Sequence, residues 1–297
     1  MDLEVVKALA CDSGFELAGA APADPVPDID RFDRWLTRGM AAEMRYLTDH
    51  RADVRRDVRR LLPTAKSVIC VGKLYNTGPG ETGIARYARS IDYHVTMRTS
   101  LEELTRRLLA IETFEYKICV DTAPLLERSF ARQAGLGWIG KNTCLINQDK
   151  GSWFLLGEIV TSLDLTASSP PPDRCGTCTR CIDACPTQAL VPEGSGWTLD
   201  SRRCVSYLTI ELRGPIPEEF HTGVGANVFG CDICQEVCPW NSDAPVTGDP
   251  AFQPVVAGPI EELDADAFRA TFGKTPVMRS KHAGFLRNLE IVRRNGR

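Results

Sequence analysis

Two runs of cysteine constrain this chain more than any other feature. Cys175, Cys178, Cys181 and Cys185 are followed by Pro186, so the run reads C-x-x-C-x-x-C-x-x-x-C-P. Cys231, Cys234 and Cys238 precede Pro239, and Cys204 stands alone between the runs. These eight thiolates are the number that two [4Fe–4S] clusters need, and the first run has the spacing of bacterial two-cluster ferredoxins. In that spacing three close thiolates reach three irons of one cube, while the fourth, turned away at the proline, serves the other cube. The expected ligand sets are Cys175, Cys178, Cys181 and Cys238 for one cluster, and Cys185, Cys204, Cys231 and Cys234 for the second. Disulfides are disfavoured, because no secretory segment opens the chain and cytosolic thiols stay reduced. Zinc held by four thiolates is an alternative, but zinc ribbons do not crowd three ligands in this way. Cys11, Cys70, Cys119 and Cys144 sit among apolar residues and are expected to be small buried hydrophobes.

The chain has 297 residues, room for one large domain or two modest ones. No apolar stretch is long enough to span a bilayer, so a soluble, cytoplasmic protein without a membrane partner is expected. The net charge of −4 argues against a generally basic nucleic-acid binder. The charge is uneven, however. Arg51, Arg55, Arg56, Arg59 and Arg60 cluster, and residues 279–297 carry Arg279, Lys281, Arg287, Arg293, Arg294 and Arg297. A solvated helix face is the ordinary explanation of such clusters, and a local phosphate-binding surface through Arg55 and Arg56 is the functional one.

Read in order, residues 3–10 have helical apolar spacing, 15–21 suit a short strand, and 30–38 suit a helix ended by Gly39. The arginine cluster falls on short helical pieces at 41–47 and 54–62. A mostly buried strand is expected at 67–74, a glycine- and proline-bearing mobile lip at 76–83, a long amphipathic helix at 93–111 and a strand at 116–120. Asp121 then ends a strand and faces a helix start, with Pro124 placed in the first turn of a helix at 125–134. On position alone Asp121 reads as a capping carboxylate. The stretch from Gly135 to Asn142 matches G-x-G-x-x-G but follows a helix rather than a strand, which excludes a dinucleotide fold. Its glycines are expected to let backbone approach something large and flat. Residues 143–147 and 153–161 are expected to pair across a turn at 149–152, and 261–297 to form two helices. The fold class is therefore α+β, with a proline-rich linker at 168–173.

Several stretches together resemble epoxyqueuosine reductases. They are Val120-Asp121-Thr122-Ala123-Pro124-Leu125-Leu126-Glu127-Arg128, the glycine-rich run to Asn142, Gly151-Ser152-Trp153 through Gly157-Glu158, Cys204-Val205-Ser206-Tyr207-Leu208-Thr209, and Gly230-Cys231-Asp232-Ile233-Cys234-Gln235. The resemblance covers nearly the whole chain. It implies reduction of epoxyqueuosine to queuosine at the wobble position of tRNA, by cobalamin fed through two [4Fe–4S] clusters. It also implies a nitroreductase-like cobalamin-binding domain over 1–165, a ferredoxin-like domain over 166–250 and a helical tail over 251–297. Asp121 falls on the family's proton donor. Tyr87 and His94 fall on the segment lining the substrate and cobalamin pocket, and Asn142, Ser206, Cys231 and Asp232 on positions near the corrin. Many members of the family continue into helical repeats, so this chain is expected to be either a naturally short form or a truncated one.

An epoxide that becomes an alkene takes up two electrons and sheds its oxygen with protons. The protein has to supply position and acid, while the cofactor carries the hard chemistry. A carboxylic acid whose pKa is raised by burial suits that role, and Asp121 is the candidate. An external one-electron donor such as flavodoxin or ferredoxin is implied, and a monomer is expected. A reductive dehalogenase has the same layout, but it usually carries an export signal that is not seen here. A simple electron carrier leaves the first half of the chain unexplained. Replacing Cys178 with alanine is expected to cost about four irons per chain. Iron analysis of the anaerobically purified protein checks this, and unchanged iron content would overturn the ligand assignment.

Overall fold

The computed structural model describes residues 1–80, 82–256, 258 and 260–296. Glu81 of the expected lip, Ala257 and Pro259 of the expected tail region, and Arg297 of the basic stretch lie outside the described residues. The strands are β1 (Leu17–Pro22), β2 (Ser67–Leu74), β3 (Tyr116–Cys119), β4 (Trp138–Ile139), β5 (Leu145–Ile146), β6 (Phe154–Thr161), β7 (Leu190–Glu193) and β8 (Gly196–Leu199). The helices are α1 (Leu3–Asp12), α2 (Ile29–Thr37), α3 (Ala52–Arg56), α4 (Tyr93–Leu109), α5 (Glu127–Gln133), α6 (Arg180–Asp183), α7 (Val205–Ile210), α8 (His221–Val224), α9 (Ile233–Glu236), α10 (Ala265–Phe272) and α11 (Lys281–Asn295). Among the described residues, no helix is long and apolar enough to cross a membrane.

The expected mixture of α and β structure is present. β1, β2, β6 and β3 form one sheet in that order, and every neighbouring pair is antiparallel. All eight residues of β2 are buried, because the sheet is covered on both faces. On one face, α4 contributes Met97, Leu101, Leu104 and Leu108, which recur at helical spacing and pack with Val6 and Ala10 of α1. Fully burying each large side chain of this kind is worth about 1.5–3 kcal/mol. On the other face, α5 places Phe130 and Ala131 against Cys70, Cys119 and Val160.

Several expectations are corrected. Residues 143–147 do not pair with 153–161. β5 pairs with β4, and β6 is taken on both edges by β2 and β3, so only an isolated Asn147–Gly151 bridge survives of the expected hairpin. The helix expected at 125–134 begins at Glu127 with Leu126 as its cap, and Pro124 lies in the bend before it. Cys11 is exposed on α1, whereas Cys70 and Cys119 are buried as expected. The arginine cluster is a set of local pairs. Arg55 is buried and donates to the carbonyls of Tyr46 (2.9 Å) and Leu47 (3.3 Å). Arg56 pairs with Asp33 and Arg59 with Asp57. Arg55 is thus buried and fixed by two carbonyls at the edge of a cavity rather than displayed on a solvated helix face.

The cysteine-bearing segments join the sheet-bearing half through backbone. Ala85 donates to Phe229 (2.8 Å) and Val228 to Gly83 (2.7 Å). The tail covers this junction: Phe268, Phe272, Phe285 and Leu289 pack with Ile84, Ala88 and Phe229. Asn288 is fully buried there, and its amide donates to the carbonyls of Thr209 and Val228 (2.8 Å each). Asn288→Ala would orphan two buried acceptors, each costing about 1–3 kcal/mol. The cluster-loaded variant should therefore unfold several degrees below wild type in a thermal melt; an unchanged midpoint would show that the bonds are dispensable.

Candidate active site

A cavity of about 740 Å³ lies between the start of α4, the bend before α5, α7 and residues 275–279. Its lining includes four of the sequence-derived site residues, Tyr87, His94, Asp121 and Ser206, together with Cys204. Asn142, Cys231 and Asp232 are not among its lining residues. Asn142 is buried beside the cysteines, where it donates to the carbonyl of Cys234 (3.2 Å) and accepts from the amide of Cys144 (3.1 Å). Asp232 is buried too and accepts the amide of Arg86 (2.7 Å). Burial pushes its carboxyl up to about 6, against the Arg86 bond and the charges of Arg89 and Arg86.

The cap of α4 orients the first polar group. Asp92 ends the preceding turn, and its Oδ1 accepts the backbone N–H of His94 at 3.0 Å. The same oxygen meets Nδ1 of the His94 ring at 2.7 Å. Nε2 is thereby aimed across the cavity at Asp121 Oδ2, 3.3 Å away. An imidazole with a carboxylate at each nitrogen is best satisfied as the doubly protonated cation. The hydrogen bond to Asp121 accordingly raises the His94 pKa to about 9, despite partial burial, with Asp92 adding to the effect. Tyr93 stacks on the ring at 4.3 Å and stands edge-on to Tyr87.

Asp121 lies just beyond β3, in a left-handed backbone conformation (φ 43°) that few residues other than glycine tolerate and in which Asp is enriched. It does not cap α5. Instead its own amide donates to Glu127 Oε1 at 2.7 Å. Burial works to raise its pKa, but the His94 bond and charge, the Tyr93 hydroxyl and the Arg279 charge outweigh it and hold the carboxyl below its ordinary value. The expected buried, protonated aspartic acid is thus corrected: the proton of this pair rests on His94. On the far wall Arg279 is held by both oxygens of Glu211 (3.0 Å each) and stands over the Tyr46 ring. Sequence reading missed Tyr46 and Glu211 and noted Arg279 only as part of the basic stretch at 279–297. Glu127 had a signal only as part of the stretch that follows Asp121.

The cysteines fall into two groups. Cys181 has Cys238, Cys175 and Cys178 as neighbours, and Cys238 has Cys175 and Cys178. Cys231 has Cys204 and Cys185, and Cys234 has Cys204 and Cys231, with Cys144 against it as well. The glycine-rich run serves the first group. A Cβ on Gly137 or Gly140 would collide with Ile146, so the glycines let β4 close on β5 instead of meeting a flat ligand. That closure packs Trp138 against Cys175 and Cys238. Lys141 then donates to the carbonyls of Gly176 (2.7 Å) and Cys178 (2.9 Å).

These features define an iron–sulfur protein with a proton-holding cavity beside its second cysteine group. Residues 174–241 match the family described as the 4Fe–4S double cluster binding domain, and residues 55–122 match "Epoxyqueuosine reductase QueG, DUF1730". The epoxyqueuosine reductase of Xanthomonas campestris pv. campestris is 40% identical, over 96% of this chain and 84% of its own. The chain belongs to the epoxyqueuosine reductase family. A crystal structure of an epoxyqueuosine reductase with a tRNA-Tyr epoxyqueuosine-modified stem loop superposes with a TM-score of 0.90 at 29% identity, covering 98% of this chain and 80% of that one. A catabolic reductive dehalogenase reaches a TM-score of 0.51 at 16% identity, covering 98% of this chain and 37% of that one, a likeness of fold alone.

The pair Asp121 and His94 sets a pH dependence. The His94 pKa is raised from 6.5 to about 9 in the folded chain, so its contribution to stability is fully present below about 6.5 and is lost as pH rises through about 9. Asp121→Asn removes the main cause, so the stability gap between wild type and variant should shrink across that interval. Titration of the His94 ring by NMR checks it directly: the variant's midpoint should fall, and an unmoved midpoint would refute the coupling.

Proposed function

We propose that this chain reduces epoxyqueuosine in a tRNA anticodon loop to queuosine, with cobalamin held in the cavity and electrons arriving through two [4Fe–4S] clusters. One observation carries the reading: Asp121 and Cys204 line the same cavity, so a proton source and a cluster ligand face a single space. Family membership and the likeness to a reductase solved with its modified stem loop support it. The lining suits a large amphipathic cofactor: Leu125, Ile210, Phe229 and Met278 offer apolar contact for a corrin face, while Asp121 with His94 on one wall and Arg279 with Glu211 on the other offer polar partners for its amide rim. When bound, cobalamin supplies a strongly reducing, nucleophilic cobalt centre, recharged one electron at a time by the clusters.

The chain's own residues supply the rest. Cys175, Cys178, Cys181 and Cys238 hold one cluster; Cys185, Cys204, Cys231 and Cys234 hold the other, next to the cavity. Tyr87 and Ser206 border the cofactor, while Asn142, Cys231 and Asp232 act from behind the cavity wall. Asp121, charged at rest, takes the proton stored on the His94 imidazolium at 3.3 Å and passes it to the oxygen as the C–O bond opens. Overall the epoxide takes two electrons and two protons and leaves an alkene and water. Residues 1–165 form a nitroreductase-like catalytic domain, 166–250 the ferredoxin-like domain and 251–297 a tail that braces both. A soluble one-electron donor in the cytoplasm, such as flavodoxin or ferredoxin, completes the circuit, and the chain acts as a monomer.

Asp121→Asn keeps shape and hydrogen bonding but cannot pass on a proton. Single turnover of an epoxyqueuosine stem-loop by pre-reduced enzyme should fall by about 10²–10⁴-fold, with iron and cobalamin content retained. A wild-type rate would rule Asp121 out, and absence of cobalamin binding by the wild-type protein would overturn the reading as a whole.

A further inference from the structure

Two more carboxyls stand behind Asp121, and the reaction as described uses neither. Glu127 opens α5 and accepts the Asp121 amide at 2.7 Å. Glu158 lies in the middle of β6, opposite Cys70 on β2 and Cys119 on β3, on the face that α5 covers. It is fully buried, and neither of its carboxyl oxygens has a hydrogen-bond partner among the described residues. Burial pushes both acids up, aided for Glu127 by Asp121 and for Glu158 by Glu127. Both shifts favour the neutral acids, with burial the first cause in each, whereas Asp121 is held in the charged form.

The far end of the bend from Asp121 to Leu126 is packed into the core by Leu125, with Ala123 and Leu126 against the same cluster, but its Asp121 end has few polar ties. Its internal bonds run from Thr122 to Val120 and from Leu125 to Ala123, and Arg51 reaches the Thr122 carbonyl only at 3.5 Å. The side-chain tie of Asp121 to His94 weakens when the pair loses its proton. A left-handed aspartate therefore needs an anchor that does not depend on that proton. The Glu127 bond grips the backbone, and a neutral acceptor does so without setting a second negative charge beside the first.

We infer that Glu127 is a positioning residue: with Glu158 beside it, it clamps the backbone amide of Asp121 so that the carboxyl stays aimed into the cavity. This rests on the reading of Asp121 as the acid. Glu127→Gln preserves the accepting oxygen and the shape of a neutral carboxyl, whereas Glu127→Leu removes the acceptor at similar volume. In cluster- and cobalamin-loaded enzyme, the Gln variant should turn over within about threefold of wild type. The Leu variant should lose about 10²-fold in single-turnover rate, the scale expected for a misplaced catalytic group, with KM little changed. Amide hydrogen exchange over 120–126 should be about tenfold or more faster in the Leu variant and unchanged in the Gln variant. Equal loss in Gln and Leu would overturn the clamp, because it would mean that the proton and not the acceptor matters; so would a wild-type rate in Leu. If the Leu variant does not fold, the wild-type protein decides alone: an unprotected Asp121 amide would refute the bond, and a protected one supports it. Exchange reads the clamp without turnover, so an active Asp121→Asn enzyme would refute the acid reading and leave the exchange result standing.

Discussion

His94 is held between the carboxylates of Asp92 and Asp121, and the chemistry of the cavity depends on that placement. One oxygen of Asp92 caps α4 and also fixes the imidazole, so ring orientation comes with helix formation. The ring then holds Asp121 in its charged form. A carboxyl facing the cavity without that partner would drift toward the neutral acid as the cavity is desolvated. Paired in this way it becomes the outer member of a two-residue relay, with the stored proton one bond behind the point of delivery.

The surrounding fold keeps that pair in register with the cysteine-bearing half. β6, paired on both edges, fixes the end of β3 and hence the start of the bend that carries Asp121. From the opposite side, α7 begins at Cys204 and presents Ser206 to the cavity, while Asn288 of α11 ties α7 to the stretch that leads into the second cysteine run. Asp92 is also bonded from outside, its amide donating to the Lys274 carbonyl at 2.7 Å. The tail thus reaches both walls.

What could be read from the sequence was local chemistry. The cysteine spacing was legible because three ligands of one cube come from a tight run while the fourth comes from the other run, the pattern of two-cluster ferredoxins. β2 was legible as eight consecutive residues suited to a doubly covered strand, and α4 as a long apolar stripe. The pairing of residues 145–161 was misread, because competition among partner strands is settled by the whole sheet. Arg55 looked like a surface cation because its burial depends on the carbonyls of Tyr46 and Leu47, in a separate 3₁₀ turn at Arg45–Leu47 whose approach local spacing does not signal. The direction of the Asp121 pKa was out of reach for the same reason: His94 lies 27 residues away, and only the fold brings them together. Glu158 gave no warning at all, since a lone acid in an apolar strand resembles a solvent-facing position.

The two halves of the proton relay differ in mechanical character. His94 belongs to the first turn of a seventeen-residue helix whose apolar stripe is locked in the core. Asp121 sits at the exposed end of a short bend, tied by its amide to Glu127 and followed by the packed Leu125. A guest that crowds the cavity meets a fixed bank on one side and a tethered ferry on the other. The aspartate can shift toward a departing oxygen while the imidazole stays put, and because the Asp121 bond is the main support of the stored proton, a guest that lengthens that bond also makes the proton easier to release.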